Sequence, residues 1–270
     1  STPIKSSAAS DVYKRQLVFR CFGIEIAYCG LNELLMCYHT ALIVQPRQLA
    51  LRFGREWDRI EDFRPSYHVS AFSHAQYPIV TADRQIQLLR WGLIPFWTNT
   101  LEDALAIRNR TANARAETIF TKPSFREPIR RRRCLVPASG FFDWRHERTG
   151  KVPYYITVRE CPVLAFAGIY DCWHNKELDE WVGTYSIITT SANEMMRFIH
   201  NTNFRMPVIL HPQDEQWWLD PDLTQKEIMG LLRPFPSEEM TSEAIRNDFI
   251  RKAPDDQSIL TPRAVAASGL

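Results

Sequence analysis

No CxxC pair occurs in this chain, and its six cysteines, at positions 21, 29, 37, 134, 161 and 172, match no zinc-module spacing. The seven histidines form no HExxH or HxxxH pair. These absences argue against a metal centre, and no cofactor is expected. Irregular cysteine spacing suits a reducing compartment in which most thiols are simply buried. An excess of one charge is missing too: 33 Lys and Arg stand against 31 Asp and Glu, a net charge of +2. Nucleic-acid binding therefore has to come from a local basic patch. One candidate is the arginine run 130–133, although such runs ordinarily form a solvated face.

Long hydrophobic runs are absent as well. The most apolar early stretch, 17–28, is interrupted by Arg20 and Glu25; it is too short for a bilayer span and has no signal-peptide cleavage pattern. A cytoplasmic protein without a membrane partner is expected. There is no internal repeat and no Pro/Gly/Ser linker long enough to divide the chain.

What is present is the composition of a globular protein. Of the 270 residues, 45% are hydrophobic and 24% charged, and this length supports a sizeable core without disulfides or metals. Residues 1–35 read differently from the rest. Positions 1–16 are polar and patternless, and 7–16 look like translated adaptor or upstream non-coding DNA. The expected organisation is a non-native or removed leader at 1–35, a folded domain at 36–235, and a C-terminal segment at 236–270 that completes or trails it.

From position 38 the pattern becomes globular. Strands are predicted at 38–44, 79–81, 85–91, 134–136, 154–158, 163–169, 185–189 and 207–210, where β-branched and aromatic residues concentrate. Helices are predicted at 46–57, 101–110, 192–199, 213–219 and 223–232, the third opened by Ser191 or Asn193. Strands come in runs and do not alternate regularly with helices. This argues for one α+β domain with a mainly antiparallel β-sheet, barrel-like core flanked by helices.

Four segments carry candidate chemistry: Met36-Cys37; Trp91-Gly92-Leu93-Ile94-Pro95-Phe96-Trp97 with Asn113-Ala114-Arg115-Ala116-Glu117-Thr118; Arg133 to Trp144; and Ile187 to Asn193, running on to His200 and Arg205-Met206-Pro207-Val208. A cysteine freed at its N-terminus carries two nucleophiles, an α-amine and a thiol. The amine has a pKa of about 7.7–8.0, so a useful fraction is neutral near neutral pH. It can form a Schiff base with an aldehyde, and the neighbouring thiol can then close a five-membered ring at high effective concentration.

Taken together and in this order, from about 36 to 219, the segments resemble the signature of the SRAP family (SOS response-associated peptidase, or abasic-site-processing proteins). The resemblance implies a thiazolidine crosslink between a new N-terminal Cys37 and the sugar aldehyde of an abasic site in single-stranded DNA. It also implies a peptidase activity that removes the initiator Met or leader. His200 would be the acid/base that opens the sugar, and Asp143 the carboxylate that positions Cys37. Asn113 and Arg115 would hold the abasic sugar and its phosphates, with Arg205 a second phosphate clamp and Thr189 a nearby hydroxyl. Trp91, Pro95, Trp97 and Trp144 would stack on bases beside the lesion. Three departures stand out. Asp143 replaces the family's usual Glu; four residues, where the family usually has one, separate His200 from Arg205; and His68 stands where Asn is commoner. Other readings of the same residues are a cysteine peptidase acting on proteins, a non-catalytic single-strand-binding module, and an inactive relative in which Cys37 is an ordinary buried thiol. A monomer is the default.

Overall fold

The computed structural model describes residues 38–58 and 60–263. The leader at 1–35 and Cys37 both lie outside the described residues.

Strand β1 (His39–Leu42) opens the fold and α1 (Pro46–Phe53) follows. Proline at the first helical turn starts α1, and Gly54, at φ +57°, closes it in the left-handed conformation. β2 (Ser66–Ser70), β3 (Gln76–Ile79) and β4 (Gln87–Trp91) come next, then α2 (Leu101–Arg108), β5 (Asn113–Arg115) and α3 (Pro128–Arg131). The chain continues through β6 (Arg133–Ala138), β7 (Gly140–Glu147), β8 (Gly150–Val158), β9 (Leu164–Asn175) and β10 (Glu180–Ser191). It then forms α4 (Glu194–Ile199), β11 (Arg205–Pro207), β12 (Ile209–Leu210), α5 (Pro212–Trp218), α6 (Gln225–Leu231) and β13 (Met240–Ala244). The mixed α+β class expected from sequence is the one observed.

Two sheets form the frame. One runs β13-β8-β7-β1-β2 and the other β12-β9-β10-β4-β3, with β5, β6 and β11 attached at its flanks. Most pairings are antiparallel, but β10 takes β4 and β5 as parallel neighbours. Neither sheet closes into a barrel among the described strands. The nearest approach is a single bridge, in which Val80 and Leu135 exchange hydrogen bonds of 3.0 and 2.7 Å.

Alternation along β7 assigns its side chains to two cores. Phe141 faces the main core with Leu42, Ile156 and Phe166. Phe142 faces a smaller cluster with Ala41, Ile245, Phe249 and Ile259. The segment after β13 therefore covers the second face of the five-stranded sheet. Gly140 is required at the start of β7, because a Cβ there would lie 2.6 Å from the Tyr155 ring.

An imidazole pair sits in this second cluster. His39 Nδ1 and His68 Nε2 are 2.8 Å apart, with His68 edge-on to Phe142 and Phe249. Burial, and then the neighbouring His68, push His39 down to about 3; burial pushes His68 down to about 4. Both are neutral at neutral pH. In the unfolded chain they bind protons near the ordinary value of 6.5. Their contribution to stability is thus complete above that pH and is lost progressively as the pH falls toward 4. The thermal midpoint should drop between pH 6.5 and 4, and His68→Phe should shrink that drop; equal drops in both proteins would refute the assignment.

The arginine run 130–133 is not one patch. Arg130 and Arg131 are exposed, Arg132 pairs with Asp171, and Arg133 is buried at 3% exposure.

Candidate active site

The site lies where the two sheets approach each other through α4. Asp143 sits on the main-core face of β7, two residues after Phe141, and is 3% exposed. His200 follows α4 directly and is 1% exposed. Asn193 caps α4, its side-chain oxygen accepting the Met196 N–H at 2.8 Å. The Asp143 and His200 side chains meet: His200 Nδ1 is 3.5 Å from Asp143 Oδ2. The other carboxylate oxygen accepts the Trp144 N–H at 2.8 Å.

The same Nδ1 lies 3.1 Å from the Arg205 carbonyl oxygen. A carbonyl only accepts, so Nδ1 carries the proton and the lone pair of neutral His200 is on Nε2. Nε2 is buried and has no hydrogen-bond partner among the described residues. An imidazole held in this tautomer, with a carboxylate beside its protonated nitrogen, is arranged to accept a proton at Nε2 and return it.

The residues between His200 and Arg205 are absorbed by a tight turn. Phe204 adopts φ +51°, its N–H donates to the His200 carbonyl at 3.1 Å, and its carbonyl accepts the Ala192 N–H at 2.9 Å. The turn brings the Arg205 carbonyl back onto the His200 ring.

Strand β10 gathers the remaining candidates. β5 places Asn113 opposite Ile187 and Arg115 opposite Thr189, while β11 pairs Thr189 with Pro207 and Ser191 with Arg205. Asn113 is buried and Arg115 exposed. Arg205, expected from sequence to be a second phosphate clamp, makes several hydrogen bonds within the protein. Its terminal nitrogens donate to Glu117 at 2.5 and 3.0 Å, to the Thr189 carbonyl at 2.7 Å and to the Thr189 hydroxyl at 3.2 Å. Burial raises the Glu117 carboxyl, but the Arg205 hydrogen bonds and charge, with the charge of Arg115, hold it below its usual value. Arg205 is therefore already paired, whereas Arg115 is exposed.

The aromatic candidates separate in the same way. Trp91 is 2% exposed, stacks on Tyr185, and donates its indole N–H to the Ala112 carbonyl at 2.8 Å. It belongs to the core and cannot stack on a base from there; instead it anchors the residue before Asn113. Pro95 is also buried. Trp97 is exposed, beside exposed Phe96. This loop is tethered through the Phe96 N–H, which donates to Asp171 at 3.1 Å, and Asp171 pairs with Arg132 at 3.3 Å. Trp144 is half-buried, edge-on to His39 and stacked on Phe249. Trp97 and Trp144 thus remain as accessible aromatics, whereas Trp91 and Pro95 do not.

Sequence reasoning missed Glu117, Asp171 and the His39–His68 pair. Glu117 lies inside a quoted segment, but a lone acid there signals no partner 88 residues away. No group of three metal-ligating side chains occurs among the described residues, and none of their helices is long and apolar enough to cross a membrane.

Comparison with known proteins bears on this site as a whole. The family profile described as SOS response associated peptidase (SRAP) matches residues 36–250. The abasic site processing protein YoqW of Bacillus subtilis is 36% identical over 200 residues, 73% of this chain and 85% of its own. The abasic site processing protein HMCES of Gallus gallus is 33% identical over 209 residues, 66% of this chain and 61% of its own. A crystal structure of a protein from Bacteroides thetaiotaomicron superposes with a TM-score of 0.83 at 46% identity, over 84% of this chain and 100% of that one. The profile match extends over most of the chain and takes in Cys37, Asn113, Asp143, His200 and Arg205, and the chain belongs to the SRAP family.

Proposed function

We propose that this protein processes abasic sites in single-stranded DNA by a covalent crosslink through Cys37. The observation that carries the reading is the buried Asp143–His200 pair, with Nδ1 of His200 held by the Arg205 carbonyl and Nε2 unpartnered. Cys37 is bonded to Tyr38, the residue before β1, and β1 pairs with β7 so that His39 lies opposite Phe142, next to Asp143.

The chemistry balances without a cofactor. The neutral α-amine of Cys37 adds to the C1′ aldehyde of the ring-opened sugar, and water leaves to give an imine. The thiol sulfur then adds to the same carbon while its proton passes to nitrogen, closing a thiazolidine. The net change is loss of one water. His200 Nε2 supplies the proton transfers of sugar opening and dehydration. Asn113 and Arg115 hold the sugar and a phosphate, and Trp97 and Trp144 offer stacking faces to neighbouring bases. The same imidazole and carboxylate suit hydrolysis of the Met36–Cys37 bond, the peptidase step that frees the amine.

The test uses chains beginning at Cys37 and at Met36, each mixed with single-stranded DNA carrying one abasic site. The first should give a product that survives denaturing electrophoresis, with the mass of protein plus DNA minus one water. Cys37→Ala should give none, and a chain that retains Met36 should react only after losing it. A Cys37→Ala product, or a reversible complex only, would overturn the reading.

A further inference from the structure

We infer that Asn201 is a positioning residue for the His200–Asp143 pair, acting through the backbone of β7. This inference rests on the reading of the site just given.

Asn201 follows His200 directly and is half-buried, whereas Thr202, Asn203 and Phe204 are exposed. Its carboxamide makes two hydrogen bonds to one residue. Asn201 Nδ2 donates to the His146 carbonyl at 2.9 Å, and the His146 N–H donates to Asn201 Oδ1 at 3.0 Å. The described pairing of β7 with β1 ends at Phe142. Four residues further on, a side chain takes both polar groups of a β7 residue, as a neighbouring strand would. His146 lies three residues after Asp143 on the same strand, so the contact joins the residue after His200 to the strand that carries its carboxylate.

This attachment answers a specific weakness. α4 has only six residues, and His200 follows it in a non-helical conformation, at φ −86° and ψ 61°. The chain then enters a turn with a strained positive φ at Phe204. A ring at the end of so short a helix has little of its own to fix it within the roughly 0.5 Å that a productive proton transfer needs. The Asn201 amide supplies one tether on the Asp143 side. The Phe204–Ala192 and Phe204–His200 hydrogen bonds supply the other on the β10 side. Arg145 reinforces the first, donating to the Phe198 carbonyl and lying 3.8 Å above the Phe198 ring. The longer His200–Arg205 connection is therefore more than a tolerated insertion, because it provides the residue that docks His200 onto β7.

The experiment measures crosslinking rate against abasic-DNA concentration for chains beginning at Cys37. Asn201→Ala should lower the saturating rate about 10- to 100-fold, the cost of displacing a reacting group by ~1 Å. The half-saturating DNA concentration should stay within about twofold, because no DNA contact is removed. Asn201→Asp keeps the acceptor for the His146 N–H but loses the donor, and should fall between the two. Thr202→Ala, on the same turn, should match wild type. If Asn201→Ala folds poorly, the Asn201→Asp rate decides. Variants with wild-type saturating rates, or losses confined to half-saturation, would overturn the role of Asn201. A wild-type chain that fails to crosslink would instead overturn the reading of the site itself.

Discussion

His200→Asn, in a chain beginning at Cys37, should slow crosslinking to abasic single-stranded DNA by about 10²–10⁴-fold, the usual worth of a positioned acid/base. Asparagine is chosen because its amide nitrogen falls near the position of Nδ1. It can keep the donor to the Arg205 carbonyl, 3.1 Å away in the native protein, and stay beside Asp143. What it lacks is a basic nitrogen at the position of Nε2. The substitution thus separates proton transfer from placement. DNA binding, measured with an oligonucleotide lacking the abasic site, should be little changed. Imidazole added to the variant should restore part of the rate if it can reach the vacated position. A rate within about threefold of wild type would remove His200 from the proton-transfer steps.

Arg133→Met should cost about 3–5 kcal/mol of stability, because each buried carbonyl left without its donor costs about 1–3 kcal/mol. At about 2–4 °C per kcal/mol for a chain of this size, the thermal midpoint should fall by roughly 10 °C. The reason lies in where the guanidinium points. Arg133 Nε donates to the Trp218 carbonyl at 2.9 Å, and Nη1 to the carbonyls of Ile129 and Arg130 at 2.8 and 2.6 Å. Nη2 donates to the Asp220 carbonyl. These acceptors belong to the C-terminal ends of α3 and α5, where helices leave carbonyls without intrahelical partners. One cation therefore caps two helices and interacts favourably with both dipoles. Burial lowers the guanidinium pKa while the nearby Asp220 opposes it, yet arginine stays charged. Methionine fills similar volume but leaves the buried Ile129 and Trp218 carbonyls without the guanidinium donors. Arg133→Lys should fall between, since one ammonium cannot reach both helix ends in a fixed fork. Crosslinking by the folded fraction should be unchanged. A midpoint shift below about 2 °C would contradict the capping role.

The elements most visible in the sequence were those with uninterrupted apolar patterns. Helices α1, α2, α4 and α6 fall within predicted segments and α5 starts one residue before its own, at Pro212, because proline, asparagine or threonine marks each start. Strands β9 and β10 are longer than the predicted 163–169 and 185–189. Their outer halves carry Asp171, His174, Asn175 and Glu180, which break apolar alternation. Strand β7 was not predicted as a strand for the same reason. Asp143, Arg145 and His146 interrupt it, and these are the positions through which it reaches His200, Phe198 and Asn201. Functional polar residues on a strand erase the periodicity by which strands are recognised.

The order of residues along the chain was enough to identify the family and the succession of its segments. It also determined the identity of the reactive candidates, because residue types such as Cys, His, Asp and Asn carry their chemistry wherever they lie. It could not rank aromatics or arginines, since stacking and phosphate binding depend on exposure, which is set by packing. Only the tertiary structure put Trp91 inside the core, bound Arg205 to Glu117 and divided the arginine run into surface and helix cap. Only the fold, too, decided that Asp143 and His200 meet 3.5 Å apart despite a shorter acid and a longer turn. The contact depends on the register of β7 and on the docking of the His200 turn against it, and both are set by long-range hydrogen bonds that no local spacing encodes.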